Sequence, residues 1–404
     1  MTVTMNVARM TSARVNLEKL RSLRFEQVKK KMEEFDVDAV VSFRLENIRY
    51  ISDLRPVWGE YLGMVTRYCC IAGQSSEGPT LFVDESEIGR CRKELAWTGE
   101  EVLPMTPINT VEETVTFVTK KLVPKIRALG LSKGRIAVDM TSLTLINELE
   151  KELPGASIID GDFFLKQAKM LKNSEEIKLL RRAAAIADAG INRARESLRP
   201  GRRECEIVGY AYEVMQSMGM ERPQVASICA SGERTVPLHR LSSGRIIQHG
   251  DFVFIDIGAC YGGYFSDETR TVPVGRPDER ARDVYRAVYS ALQSAIAKLR
   301  PGNQTVDVHL AARNAIKEAG YEKYGYYGLL GHGIGTSGQE APVVGEIVTP
   351  GEQQVTLQPG MCFTLEPGIF LPGVVGIRLE DNVLITETGA DVLTHVPYEE
   401  DLVR

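Results

Sequence analysis

Two aspartates stand where a carboxylate is hard to keep ionised. The segment Asp251-Phe-Val-Phe-Ile-Asp-Ile-Gly258 alternates as a β-strand, so Asp256 shares a face with the rings of Phe252 and Phe254. A buried charge in such a setting is costly unless a cation or hydrogen-bond donors offset it. The next run, Tyr264-Phe-Ser-Asp267-Glu-Thr-Arg-Thr271, returns through Gly262-Gly263, a hairpin signal, and the hairpin is expected to set Asp267 opposite Asp256 across the ladder. Two carboxylates so placed repel, and one protonates unless positive charge lies between them; a divalent metal ion satisfies both. The alternative, a surface acidic hairpin, is opposed by the apolar run around Asp256 and the small residues beside Asp267.

Three further residues extend this set. Gly331-His332-Gly-Ile-Gly335 places a histidine in a glycine-rich turn, where little bulk obstructs a ligand. A lone histidine is more often a hydrogen-bonded structural residue, and here only the surrounding acids reverse that reading. Glu366 follows Met361-Cys-Phe-Thr-Leu365, and Glu380 lies in Gly376-Ile-Arg-Leu-Glu-Asp-Asn382 ahead of the strand Val383-Leu-Ile-Thr386. Four hard oxygen donors and one imidazole suit Mn, Fe, Co or Zn, and the carboxylate excess leans toward Mn, Fe or Co. A two-metal site follows. Arg378, two residues before Glu380, is expected on the same strand face, where it would orient that carboxylate or meet an anionic substrate; the plainer reading is an exposed strand-end arginine.

These residues need a scaffold, and 404 residues exceed what one core usually organises. Two domains are expected, residues 1–167 and 168–404. The first alternates helix and strand patterns: a charged helix at Leu17–Phe35, strands at Asp38–Phe43, Tyr68–Ala72, Thr80–Val83 and Arg135–Val138, a short helix or turn at Glu46–Ile51, and helices at Thr110–Leu129 and Leu143–Leu153. This is an α/β domain. The second opens at Asn173, which with Glu176 resembles a capping box for a helix through Leu198. Leu198-Arg-Pro-Gly201 recurs as Leu299-Arg-Pro-Gly302, each after a long Ala/Arg-rich helix and each followed by acid-bearing apolar strands, Asp251–Val274 and Met361–Thr386. Two copies of one unit are implied, with the site between them.

Acidic residues outnumber basic ones by 54 to 49 without long blocks of either sign, so no footprint for nucleic acid or anionic lipid is visible. The first residues lack an apolar signal core and no segment has the length of a membrane span. The expected setting is the cytoplasm and the expected partner a small molecule. The seven cysteines are odd in number and lack CxxC spacing, as for reduced thiols used in packing. His309 is expected on the outer face of a helix.

The motifs FIDIG, FSDETRT, GHGIG, EPG and RLED, carrying Asp256, Asp267, His332, Glu366 and Glu380, resemble the pita-bread metallopeptidases: prolidases, aminopeptidase P and methionine aminopeptidase, with creatinase as a non-peptidase member. The likeness covers about residues 168–404. Asp38-Ala-Val-Val and Glu46-Asn-Ile-Arg-Tyr-Ile-Ser52 are similar to the creatinase-type N-terminal domain, which points to the prolidase and creatinase branch. The resemblance implies an α/β N-terminal domain, an α+β pita-bread catalytic domain with an internal pseudo-repeat, and a homodimer. It also implies roles: Asp256 and Asp267 on one metal, His332 and Glu366 on the other, Asp267 and Glu380 bridging, Glu366 moving the proton of the attacking water, and His239, in Ser231-Gly-Glu-Arg-Thr-Val-Pro-Leu-His239, serving the developing oxyanion or relaying a proton. The implied reaction is hydrolysis of a C–N bond in a short peptide, best an Xaa-Pro bond.

One position departs from the pattern. Peptidases of this family usually carry a second histidine seven residues after the ligand histidine, and here Gln339 stands there. Glutamine donates hydrogen bonds but neither becomes cationic nor shuttles a proton. That admits a creatinase-like substrate, a small non-peptide amide or guanidine; a binding protein without catalysis is the third reading.

Overall fold

The computed structural model describes residues 14–57, 66–98, 101–139, 142–224, 227–236, 238, 240–346 and 354–403. They divide into two compact units, Asn16–Lys169 and Met170–Arg404, the second also taking in the described residues before Asn16.

The first unit is built on six strands: β1 (Ala39–Ser42), β2 (Tyr68–Gly73), β3 (Thr80–Asp84), β4 (Val102–Met105), β5 (Arg135–Val138) and β6 (Ser157–Asp160), in the order β4-β3-β2-β1-β5-β6. The β1–β2 and β2–β3 pairs are antiparallel and the others parallel. Neighbouring residues of one strand enter opposite cores. Val40, Cys70 and Ala72 pack with the helix Leu17–Glu34, and Val41, Cys69 and Ile71 with Phe117, Leu122 and Ile126. A sheet covered on both faces explains why β1 and β2 read as unbroken apolar runs. Cys69 and Cys70 are fully buried, which pushes both thiols upward and leaves them packing residues. The expected helix at Thr110–Leu129 is Val111–Phe117 and Val123–Ala128 joined by one π turn, opened by a Thr110–Glu113 capping box. Unforeseen are β4 and β6, and the helices Ile88–Glu94 and Gly161–Lys169.

In the second unit Asn173 Oδ1 accepts from the backbone N–H of Glu175 and Glu176 while the Glu176 carboxylate accepts from that of Asn173, the expected capping box, and the helix runs Ser174–Ser197. The two Leu-Arg-Pro-Gly turns lead from this helix into Glu204–Ser217 and from Glu279–Ile296 into Thr305–Glu318. Both copies are tied in the same way. Gly201 N–H donates to Ile247 O (2.9 Å) and Ile247 N–H to Arg202 O (2.7 Å); Gly302 N–H donates to Leu357 O (3.0 Å) and Leu357 N–H to Asn303 O (2.8 Å). Gly201 and Gly302 share the left-handed conformation, φ +92° and +90°, that a side chain resists.

Each copy contributes a ladder. The first holds β7 (Arg222–Pro223), β8 (Ile228–Ser231), β9 (Phe252–Asp256), β10 (Ala259–Tyr261), β11 (Tyr264–Phe265) and β12 (Thr269–Pro273). The second holds β13 (Gly325–Tyr326), β14 (Gly331–Gly333), β15 (Glu340–Val344), β16 (Cys362–Leu365), β17 (Gly368–Leu371), β18 (Val375–Arg378), β19 (Asp381–Ile385) and β20 (Ala390–Val392). The sheets run β12-β9-β8, β11-β10-β7, β15-β14-β16-β19-β20 and β13-β17-β18. The ladders are stitched where Glu380 N–H donates to Thr269 O (3.0 Å) and Thr271 Oγ1 donates to Arg378 O (2.9 Å). The first helix pair covers a core of Ile186, Ile207, Met215, Val253 and Ile255; the second covers one of Val288, Leu292, Val308, Phe363, Ile377 and Val383. His309 faces inward, 5% exposed, edge-on to Tyr327, which corrects the expected outer position.

Candidate metal centre

Asp256 ends β9, and Glu366 directly follows the corresponding strand β16, so each copy delivers one acid at the tip of an apolar strand. The Gly262-Gly263 turn has φ of +58° and +80° and pairs Tyr261 with Tyr264, as a tight hairpin requires. It does not set Asp267 opposite Asp256. The hairpin arms β10 and β11 belong to a separate small sheet, and the cross-strand partners of Asp256 are Thr269 on β12 and Ile228 on β8. Asp267 instead sits in the link between β11 and β12. Its backbone is clamped by Asn382, whose Oδ1 accepts from Asp267 N–H (3.1 Å) and whose Nδ2 donates to Asp267 O.

Glu380 occupies the step between β18 and β19, not a strand shared with Arg378, because the chain changes sheets after Arg378. Arg378 still meets the acids: Nη2 is paired with Asp256 Oδ2, Nη1 lies 2.8 Å from Glu366 Oε2, and Nη2 lies 3.9 Å from Glu380 Oε2. It stacks over the Phe254 ring at 5.0 Å, so this arginine is 5% exposed rather than a surface strand end. His332 lies on β14, where a register shift between His332 and Gly333 turns the chain. Its Nδ1 is 3.0 Å from Gly333 O, so Nδ1 carries the proton and Nε2 keeps a free lone pair. Nε2 lies 3.6 Å from Glu366 Oε1 and 3.8 Å from Asp267 Oδ2.

All five expected ligands are thus gathered and buried, and the arrangement is electrostatically stressed. Burial, then the charges of Glu380, Asp256 and Glu366, holds the Asp267 carboxyl well above the usual carboxylate range. Burial followed by the Glu366 charge does the same to Glu380. Glu366 is pushed up to about 7 by burial and Asp256 against the opposing pull of Arg378. Burial pushes His332 down to about 4. Three carboxylate oxygens of this cluster, Asp256 Oδ1, Asp267 Oδ1 and Glu380 Oε1, are buried without a hydrogen-bond partner among the described residues. Donor atoms of Asp267, His332 and Glu380 lie within 4.8 Å of one another. Orphaned buried carboxylate oxygens in a cluster that also holds a lone-pair imidazole fit divalent cations, whose charge removes the repulsion.

Sequence reasoning missed two supports. Gln224 Nε2 donates to Asp267 Oδ2 at 2.8 Å, and Thr269 Oγ1 donates to Glu380 Oε2 at 2.7 Å while accepting from Arg378 Nε and Nη2 at 3.2 and 3.1 Å. Gln339 is exposed on the wall of a cavity of about 380 Å³ whose floor is Asp256, Asp267, His332, Glu366 and Arg378. His239 lies outside the described residues.

Fold and site together define a metal-dependent hydrolase with an N-terminal accessory domain. Residues 178–387 match metallopeptidase family M24 and residues 24–170 match the creatinase/prolidase N-terminal domain, and the chain belongs to family M24. It is 32% identical over 377 residues to an Xaa-Pro dipeptidase of Pyrococcus horikoshii, covering 93% of this chain and 98% of that protein. The solved prolidase of Pyrococcus horikoshii superposes with a TM-score of 0.76 at 30% identity over 93% of this chain and 99% of that one. An Xaa-Pro dipeptidase from Bacillus anthracis gives 0.78 at 26% identity over 93% and 98%. The chain is a metallopeptidase of the prolidase and aminopeptidase P branch, and the expectation of a binding protein without catalysis is set aside.

Proposed function

We propose that the enzyme cleaves Xaa-Pro bonds in dipeptides and short peptides, with two divalent ions held by Asp256, Asp267, His332, Glu366 and Glu380. The carrying observation is the set of three buried carboxylate oxygens, from Asp256, Asp267 and Glu380, that have no hydrogen-bond partner among the described residues, together with the clustering of Asp267 and Glu380 with His332. Manganese is the proposed working metal, with Co, Fe or Zn as substitutes, and the proposed state is a cytoplasmic homodimer.

When bound, the ions supply Lewis acidity that makes water a nucleophile at neutral pH. Glu366 accepts the proton of the attacking water and passes it to the leaving nitrogen. Arg378 holds Asp256 and Glu366 in place through its two Nη atoms, and Thr269 fixes the Glu380 carboxylate. His239 is assigned the oxyanion or proton-relay role. The test is incubation of protein loaded in turn with Mn, Co, Fe and Zn with Xaa-Pro dipeptides and longer Xaa-Pro peptides, scored by release of the free amino acid. No cleavage with any of the four metals rejects the reading.

Gln339 on the cavity wall favours a second reading, a small non-peptide amide or guanidine as substrate. Gln339→His discriminates: a rise in peptide turnover identifies the missing imidazole as the limit on peptide cleavage, and no rise in a weak peptidase shows that the missing histidine was not what limited it.

A further inference from the structure

The cavity carries two arginines with opposite commitments. Arg378 is paired with Asp256 and Glu366 and lies against Phe254, so its charge is already used by the floor. Arg240 lines the same cavity with no carboxylate partner among the described residues. Among the described residues its Nη2 reaches only Val236 O, at 3.5 Å, and its buried Nε has no partner. A guanidinium withdrawn from water on one side and left unpaired is poised for a planar anion.

The backbone that carries Arg240 is fixed in advance. Leu241 O accepts from Arg234 Nη2 (2.8 Å), and Ser242 Oγ accepts from Cys229 N–H (2.9 Å) and donates to Ser227 O (2.9 Å). The fully buried Glu204 carboxylate then gathers Ser231, Arg234 and Ser243. Arg240 therefore projects from a segment braced at the next two residues, so that only its side chain has to be ordered when an anion binds. Around it the wall is apolar or neutral, with Ile228, Leu241, Tyr326, Leu329 and Gln339. At about 380 Å³ the cavity is near the small end of ligand-enclosing pockets, roughly 300–1,000 Å³, which suits a short substrate.

We infer that Arg240 forms an anion subsite that captures a carboxylate of the substrate, and so selects among short peptides by charge. This rests on the peptidase reading above. The carboxylate has two sources, the C-terminal α-carboxylate of a dipeptide or an acidic side chain of a longer peptide, and the subsite chemistry is shared.

The test uses metal-loaded enzyme and non-cleavable dipeptides in which a methyleneamino link replaces the scissile amide, prepared as free acid, as C-terminal amide, and as amide with an added glutamyl residue. Calorimetric binding to the parent, Arg240→Gln and Arg240→Lys is measured independently of turnover. The parent should prefer at least one carboxylate-bearing probe over the plain amide by roughly 10-fold or more, the worth of a charge-assisted hydrogen bond. That preference should vanish in Arg240→Gln and return in part in Arg240→Lys, which keeps the charge but not the fork. Preference for the free acid identifies the α-carboxylate, and preference for the glutamyl amide identifies the side chain. No carboxylate preference in the parent, or one that survives in Arg240→Gln, overturns the subsite. The peptidase reading fails separately, on the absence of cleavage.

Discussion

At the scale of single residues, the site is a cluster of acids that the protein alone does not neutralise. Asp267 is the extreme case, because it is buried, faces three other carboxylates and keeps Oδ1 without a partner among the described residues. Asp267→Asn retains the shape and removes the charge. Metal-free Asp267→Asn should therefore melt no lower than metal-free parent, while it loses at least one metal equivalent, the metal-induced rise in Tm and nearly all turnover. Calorimetry with metal analysis checks this; a full metal complement in the variant would remove Asp267 from the ligand set. His239→Ala, by contrast, should keep its metal while turnover falls roughly 10²-fold or more, the typical worth of an oxyanion donor or proton-transfer group. Thr269→Val tests the support. The hydroxyl's single donor goes to Glu380, so its loss should lower stability by about 1–3 kcal/mol, read by denaturant unfolding. Asp256 was legible as a candidate ligand because a carboxylate inside an apolar strand announces a cost that something must offset, and the other four candidates were read from the motifs around them. Gln224 and Thr269 were not, because neutral polar side chains carry no such signal and their partners lie 43 and 111 residues away.

At the scale of elements, the pseudo-repeat explains why acids arrive at a common point from distant parts of the chain. Each copy joins the two helices of its pair through one Leu-Arg-Pro-Gly turn, and the strands that follow deliver Asp256 and Glu366 at equivalent tips. The echo was visible in sequence because the turn needs a left-handed glycine. The sheet exchange that separates Arg378 from Glu380, and places Thr269 rather than Asp267 across from Asp256, was not, because strand alternation says nothing of which sheet a strand joins. Likewise β4, which contains Pro104, and β6, half-exposed at the other edge, lack the apolar run of the central strands. Two glycines separate scaffold from site. At Gly302 a Cβ meets nothing within 4 Å, so Gly302→Ala should cost only the strain of its positive φ, about 1–2 kcal/mol, with turnover unchanged below the melting range. At Gly333 a Cβ would stand 2.3 Å from Ala341 O, forcing β14 from β15 and moving His332 with it. Gly333→Ala should weaken metal binding by roughly 10–100-fold, as measured by competition with a chelator. Equal metal affinity in the two variants would show that β14 does not set the imidazole position.

At the scale of the whole molecule, the similarity to prolidases runs through both units, since it covers 93% of the chain, and no described helix is long and apolar enough to cross a membrane. What distinguishes this chain from a merely well-packed pair of domains is that its stability should depend on what neutralises its acids. Glu366, raised from an ordinary 4.5 to about 7, holds its proton more tightly folded than unfolded. Its contribution is complete below pH 4.5 and is lost as pH rises through 7; Asp267 and Glu380 are displaced in the same direction. His332, lowered from 6.5 to about 4, works the other way: its contribution is present above pH 6.5 and is lost as pH falls through 4. Raised carboxyls outnumber the lowered imidazole, so the metal-free protein should lose stability at this site as pH climbs through the interval between 4.5 and 7. Divalent ions replace those protons and stabilise by binding the folded state alone. The gap in Tm between metal-loaded and metal-free protein should accordingly widen from about pH 5 to about pH 7.5, and proton release on metal binding should be greater at the lower pH. Differential scanning calorimetry of both forms across that range, with binding heats compared in buffers of different ionisation enthalpy, measures both quantities. A gap that stays constant with pH would mean that the ions do not bind where the acids are buried.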